Sequence, residues 1–136
     1  MDNIIFRGKR INRNMEWGYG DLRKYDGNTW IFPHDQDAAY DADMVDPKTV
    51  GMFTGLLDKN GKGIFEGDII TYMNPFPNRE TTGRVYYDNG GFKVEVYVGA
   101  VISMPLGYLF GDDIKENTIE VVGNIHDNPD FKPIWK

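Results

Sequence analysis

Between Thr82 and Val98, apolar and polar residues alternate with a period of two around the turn Asp88-Asn89-Gly90-Gly91. Val85 and Tyr87 alternate with Arg84 and Tyr86; Phe92, Val94, Val96 and Val98 alternate with Lys93, Glu95 and Tyr97. A strand sends successive side chains to opposite faces, so this spacing presents one apolar face as a strand and none as a helix. Asn and Gly tolerate the positive φ that a tight hairpin turn requires. The segment is therefore read as a β-hairpin with one face toward a core.

A second stretch, Val45 to Tyr72, organises the middle of the chain. Pro47 fixes its own φ and pushes Asp46 away from the helical region, which makes Asp46-Pro47 a turn or an extended lead-in. Asp58-Lys59-Asn60-Gly61 is turn chemistry, with Asp58 able to bond the backbone ahead of it. Phe53, Leu56 and Leu57 precede it, and Ile64 and Phe65 follow, as in a hairpin or a wide connection between strands. Gly67 interrupts the chain, and Asp68-Ile69-Ile70-Thr71-Tyr72 is strongly β-forming. A calcium loop starting at Asp58 fails on spacing: the fifth position is Lys62 and the twelfth is Ile69, where oxygen ligands are needed. Gly67 is expected to sit at positive φ or at a close backbone approach, with Asp68 bonding backbone.

The N-terminal third offers further strands. Ile4 to Arg10 is an expected first strand, and Arg7, Lys9, Arg10 and Arg13 make it the most basic part of the chain. Charge of this kind suits a solvated sheet edge; the alternative is a patch for phosphate or acidic groups. Glu16 to Tyr25 is expected to pair with Asn28 to Pro33 through the turn Asp26-Gly27-Asn28. Trp17 and Tyr19, and likewise Trp30 and Phe32, are two apart and share a face within each strand. Packing is the simpler role for them, and a stacking platform for bases or sugars the sharper one. His34 to Asp46 holds Asp35, Asp37, Asp41, Asp43 and Asp46, residue types that bind hard cations or zinc. No ligand spacing repeats there, and a polar, mobile or lightly helical loop is expected.

Met73 to Thr82 carries Pro75 and Pro77, which deny ladder hydrogen bonds, so an exposed loop bearing Phe76 is expected. Ile102 to Phe110 is an apolar segment bent at Pro105 and Gly107. Asp112 to Asn117 is the best place for a turn of helix, and Thr118 to Val122 for a last strand. Turns at Gly123-Asn124 and Asn128-Pro129 follow.

The chemistry available is limited. The 136 residues contain no cysteine, which excludes disulfides, thiolate metal sites and cysteine nucleophiles. No segment approaches the length of a membrane span, and the N-terminus has no apolar run, so a cytoplasmic protein is expected. The net charge of −6 gives no general attraction to phosphate backbones. No phosphate-binding loop, dinucleotide fingerprint or paired-histidine helix is present. Ser103 is the only serine and lies in an apolar run, away in sequence from His34 and His126. Glu66 and Asp68 would share a strand face as an acid pair, though a bend at Gly67 accounts for them more simply.

In order along the chain stand Phe6-Arg7-Gly8-Lys9, Val45-Asp46-Pro47-Lys48-Thr49-Val50-Gly51, Thr54-Gly55-Leu56, Asp58-Lys59-Asn60-Gly61, Glu66-Gly67-Asp68-Ile69, Gly123-Asn124-Ile125 and Asn128-Pro129. With these motifs the sequence resembles the YopX protein family, which is found in phages and prophages of bacteria. The resemblance covers essentially the whole chain, with no matching motif in 73–82 or 99–117. It implies a β-rich fold with a small barrel in the C-terminal half, and it brings no catalytic residues.

The expectation is thus a mainly β protein with little helix, one domain over 1–136. An N-terminal β-hairpin extension and acidic loop occupy 1–45. A small Src-homology-3-like barrel in 46–136 is expected to be closed by strands near 66–72, 83–87, 92–98 and 118–122. No catalytic residue, metal or cofactor is expected. The expected function is a non-enzymatic accessory module that binds a protein and self-associates, with Arg7, Lys9, Arg10, Trp17, Trp30 and Phe76 as candidate surface residues. Single-stranded nucleic-acid binding is the alternative, disfavoured by the acidic charge, and hydrolysis the remote one.

Overall fold

A computed structural model of the chain describes residues 5–34, 42–75, 78–97, 99–111 and 116–130. Eleven strands and two 3-10 turns make up the regular structure of these residues. The mainly β expectation holds. The chain divides into two compact units, Met1–Gly55 and Leu56–Lys136.

In the first unit, β1 (Phe6–Arg10), β2 (Glu16–Tyr25), β3 (Asn28–Phe32), β4 (Asp43–Val45) and the start of β5 (Gly51–Leu57) are all antiparallel neighbours. β2 and β3 meet through a two-residue turn with Asp26 at φ 53° and Gly27 at φ 77°, the double positive φ of a primed hairpin turn. The pairings run β2–β3–β4–β1 and return from β1 to β2. The β4–β1 seam is a single pair, Arg10 with Val45, flanked by Ile11 N–H to Met44 O and Asp46 N–H to Lys9 O at 2.9 Å. The ring is therefore barrel-like but partial. Gly8 makes the tight approach possible: a Cβ there would lie 3.0 Å from the Val45 side chain.

Two expectations need correction here. β1 is no sheet edge, since β2 pairs along one side of it and β5 along the other. Its charge is accommodated by alternation between faces rather than by exposure. The polar loop expected over 34–46 contains strand β4, whose Met44 and Val45 pair with Trp30 and Thr29; residues 35–41 lie outside the described ones. Asp46 instead caps the 3-10 turn Pro47–Thr49, its Oδ1 accepting from Lys48 N–H at 3.0 Å with an extended backbone before the proline, as expected.

The second unit contains β6 (Gly63–Phe65), β7 (Asp68–Pro75), β8 (Asn78–Asp88), β9 (Gly91–Tyr97), β10 (Val101–Pro105) and β11 (Glu120–Asn124). Five of them form one antiparallel sheet in the order β10-β9-β8-β7-β11. All four strands expected to line the barrel are thus neighbours in it. Among the described residues no ladder joins β10 to β11, so closure is incomplete here too. The Asn89-Gly90 turn has φ 50° and 84°, and Asp88 pairs with Gly91 as the sequence predicts. The expected proline loop is shorter than anticipated: β7 continues to Pro75, opposite Asn78. A proline at a hairpin tip forfeits no ladder bond in the body of the sheet. Phe76 and Pro77 lie outside the described residues, as do 112–115 of the expected helical turn.

The core of this unit is aliphatic. Ile64, Ile70, Val85, Val94, Val96, Leu106 and Ile119 are almost wholly buried, with Tyr72 and Leu109 beside them. Alternate positions of β8 and β9 supply it, as the period-two pattern requires. Leu106 and Leu109 come from the 3-10 turn Leu106–Phe110, which replaces the simple bend expected at Pro105.

Candidate functional site

Of the candidate surface residues, the structure gathers Arg7, Lys9 and Trp17 on one face and sets Arg10 on the other. Trp17 stands opposite Lys9 on β2. The Arg7 guanidinium lies 4.5 Å from the centre of the Trp17 ring and the Lys9 ammonium 5.4 Å. These are cation–π contacts, worth the more because Arg7 is only 4% exposed. Two cations of this chain thus share the Trp17 ring. Arg10 reaches Glu16 at 3.4 Å and Asp43 at 3.6 Å, and Arg13 reaches Asp43 at 3.1 Å. Trp30 pairs with Arg23 toward the other end of β2, while Arg23 itself stacks over Phe32 at 4.7 Å. Phe76 lies outside the described residues.

The acidic motif residues are bound to backbone. Asp58, 4% exposed, accepts from Asn60 and Lys62 N–H through Oδ1 at 2.9 Å each. Its Oδ2 accepts from Val121 N–H at 3.0 Å, fastening β11 to the turn. Burial alone would raise its pKa. The three N–H donors, helped by the Lys62 charge, outweigh that and hold the carboxyl below 3.8. With its oxygens facing donors, Asp58 is a poor cation ligand. Asp68, 1% exposed, accepts from Phe65 N–H at 2.7 Å, which is the backbone role expected for it. Gly67 between Glu66 and Asp68 has φ 94°; its N–H donates to Val85 O and its carbonyl accepts from Ile125 N–H. Asn124 Oδ1 accepts from His126 and Asp127 N–H, while Asn128 Oδ1 accepts from Asn124 N–H at 3.2 Å.

The remaining reactive side chains are scattered. His34 Nε2 pairs with Asp21, and the Ser103 hydroxyl accepts from Tyr86 at 2.7 Å. Among the described residues no three His, Asp or Glu side chains gather as a metal site. Burial pushes the Tyr72 phenol above its ordinary 10.0; this ring lines a cleft with Met73, Met104, Tyr108 and Ile119.

The feature that sequence reasoning missed is the outer edge of β10. Val101 is 48% exposed and Ile102 42%, with Ser103 and Pro105 also exposed. Alternation on β10 is weak and two apolar residues are adjacent, a pattern that suits a strand buried on both faces, so nothing in the sequence marked this edge as exposed.

The fold and these sites define an all-β protein of two compact units whose motif carboxylates hold turns together. The model of the YopX protein family matches residues 6–131, and the chain belongs to that family. No functionally curated protein matches it. A solved structure, that of protein EF1440 from Enterococcus faecalis, is 23% identical with a TM-score of 0.45. The match covers 93% of this chain and 96% of that one.

Proposed function

We propose that this protein is a non-enzymatic accessory module of phage or prophage origin, acting in the cytoplasm of the bacterial host. In this reading it binds a protein partner by strand addition along the outer edge of β10 and self-associates through the same edge. The observation that carries it is β10, the last strand of its sheet, with adjacent exposed Val101 and Ile102 and no ladder on its outer side among the described residues. An added strand satisfies edge N–H and C=O groups and removes apolar surface from water. The non-enzymatic part rests on Asp58 and Asp68, whose carboxylates serve backbone donors. The stacking of Arg7 and Lys9 on Trp17, with a net charge of −6, makes nucleic acid the weaker partner.

Light scattering and pull-down from host lysate test the proposal, with Ile102→Lys as the comparison. Wild type should self-associate or retain a discrete protein, and Ile102→Lys should lose it while keeping its circular dichroism. A monomeric wild type that retains nothing contradicts the reading. Tight, salt-dependent binding of labelled oligonucleotides would replace it with the nucleic-acid one.

A further inference from the structure

We propose that Asn89 is a site of spontaneous covalent modification: deamidation to aspartate and isoaspartate, with the chain itself as nucleophile and water as the only co-reactant. The chain has two Asn-Gly pairs, Asn60-Gly61 and Asn89-Gly90. Local sequence treats them alike, since in both the small glycine leaves its nitrogen open to the preceding side chain. The fold treats them differently.

At the first pair the attacking nitrogen is occupied. Gly61 N–H donates to Asp58 O at 3.0 Å. Asn60 and Lys62 N–H, on either side, are both held by Asp58 Oδ1 at 2.9 Å. Reaction at Asn60 requires that this web open first. At the second pair the hairpin bonds lie outside the turn, between Asp88 and Gly91. Gly90 N–H has no backbone acceptor among the described residues. A Cβ built on Gly90 would meet nothing within 4 Å, and the same is true at Gly61, so steric room is common to both pairs and the hydrogen bond on the glycine N–H is what separates them. Asn89 Nδ2 rests against Asp88 Oδ2 at 3.3 Å, and Lys93 Nζ meets that same oxygen at 3.5 Å, offsetting its charge beside the reacting amide.

The balance is simple. A base in solution takes the Gly90 amide proton, and the nitrogen attacks Asn89 Cγ. A new N–Cγ bond forms, the side-chain nitrogen takes a proton back from the protonated base, its bond to Cγ breaks, and ammonia departs to leave a five-membered succinimide. Water then opens either carbonyl, giving aspartate or isoaspartate. No oxidant or reductant is involved. The isoaspartate product carries the main chain through an extra methylene, which a two-residue turn with φ of 50° and 84° cannot absorb unchanged. Its first consequences fall on the Asp88–Gly91 pair and on the Tyr87–Phe92 edge contact, whose ring centres are 5.3 Å apart.

The test is incubation of the full-length folded protein at mildly alkaline pH, with peptide mass spectrometry following both sites, alongside a parallel sample in concentrated urea. Folded protein should convert Asn89 at least about tenfold faster than Asn60, since opening one net hydrogen bond costs up to about 1.5 kcal/mol and the web at Asp58 holds more than one. In urea the two rates should converge. Equal rates in the folded protein, faster conversion at Asn60, or conversion of Asn89 only in urea would each overturn the proposal.

Discussion

The two units are built from the same kind of element and held by different physics. The second, from Leu56 onward, encloses a mainly aliphatic cluster contributed by β6, β7, β8, β9, the 3-10 turn after β10 and Ile119 just before β11. In the first, Ile31 and Val45 are the fully buried large apolar residues among those described, and Arg7, Thr29 and Thr49 are buried with them. There the strands close up over Gly8, and the cations of β1 stack on Trp17. Burial of apolar area scales with the number of side chains enclosed, whereas glycine contacts and cation–π pairs each contribute little. The difference teaches that a β-ring can be specified by close backbone approach and alternating charge, at the cost of a deep core.

The largest effect should come from the aliphatic core. Ile70→Ala removes a wholly buried side chain and should cost about 2–5 kcal/mol, read as a lower urea midpoint by circular dichroism. If the loss stays under about 1 kcal/mol, the site relaxes freely and the contrast between units weakens.

Next comes the carboxylate that fastens β11. Asp58→Asn places an amide group against N–H donors and should cost about 1.5–3 kcal/mol at neutral pH. Because folding lowers the Asp58 pKa below 3.8, its contribution is complete above that value and is lost as pH falls through the lower folded pKa. Acid titration of stability should therefore be flatter in Asp58→Asn than in wild type. Identical acid limbs would show that other carboxylates govern that range.

Gly67→Val should cost about 1–3 kcal/mol, since a β-branched residue is strained at φ 94°. An unchanged urea midpoint would make this glycine incidental. The smallest effect belongs to the first unit. Trp17→Leu keeps an apolar but smaller side chain and loses the cation–π partner of Arg7 and Lys9, and should cost about 0.5–2 kcal/mol. A loss matching that of Ile70→Ala would mean that the first unit leans on Trp17 as a core residue.

What could be read from the sequence follows from how local each determinant is. The turns at Asp26-Gly27 and Asn89-Gly90 were legible because two adjacent residues tolerant of positive φ suffice to define them. Gly67 and Asp68 were legible because the break and its hydrogen bond lie within three residues. Asp58 was half legible. Its bonds to Asn60 and Lys62 are local, but its bond to Val121 joins residues 63 apart in sequence. The partial ring of the first unit was hidden, because its seam is one residue pair and depends on Gly8 meeting Val45. The arrangement of the basic residues was half legible: strand alternation places Arg7 and Lys9 on one face and Arg10 on the other, and only the register shows that Trp17 lies beside Lys9.

Native-state hydrogen exchange tests the contrast most directly. Amides in β7, β8 and β9 should exchange only through the most costly opening, while those in β1, β2 and β3 exchange through a distinctly cheaper one. Equal protection in the two sets, or slower exchange in β1–β3, would contradict the claim that an aliphatic core holds one unit and close strand approach the other.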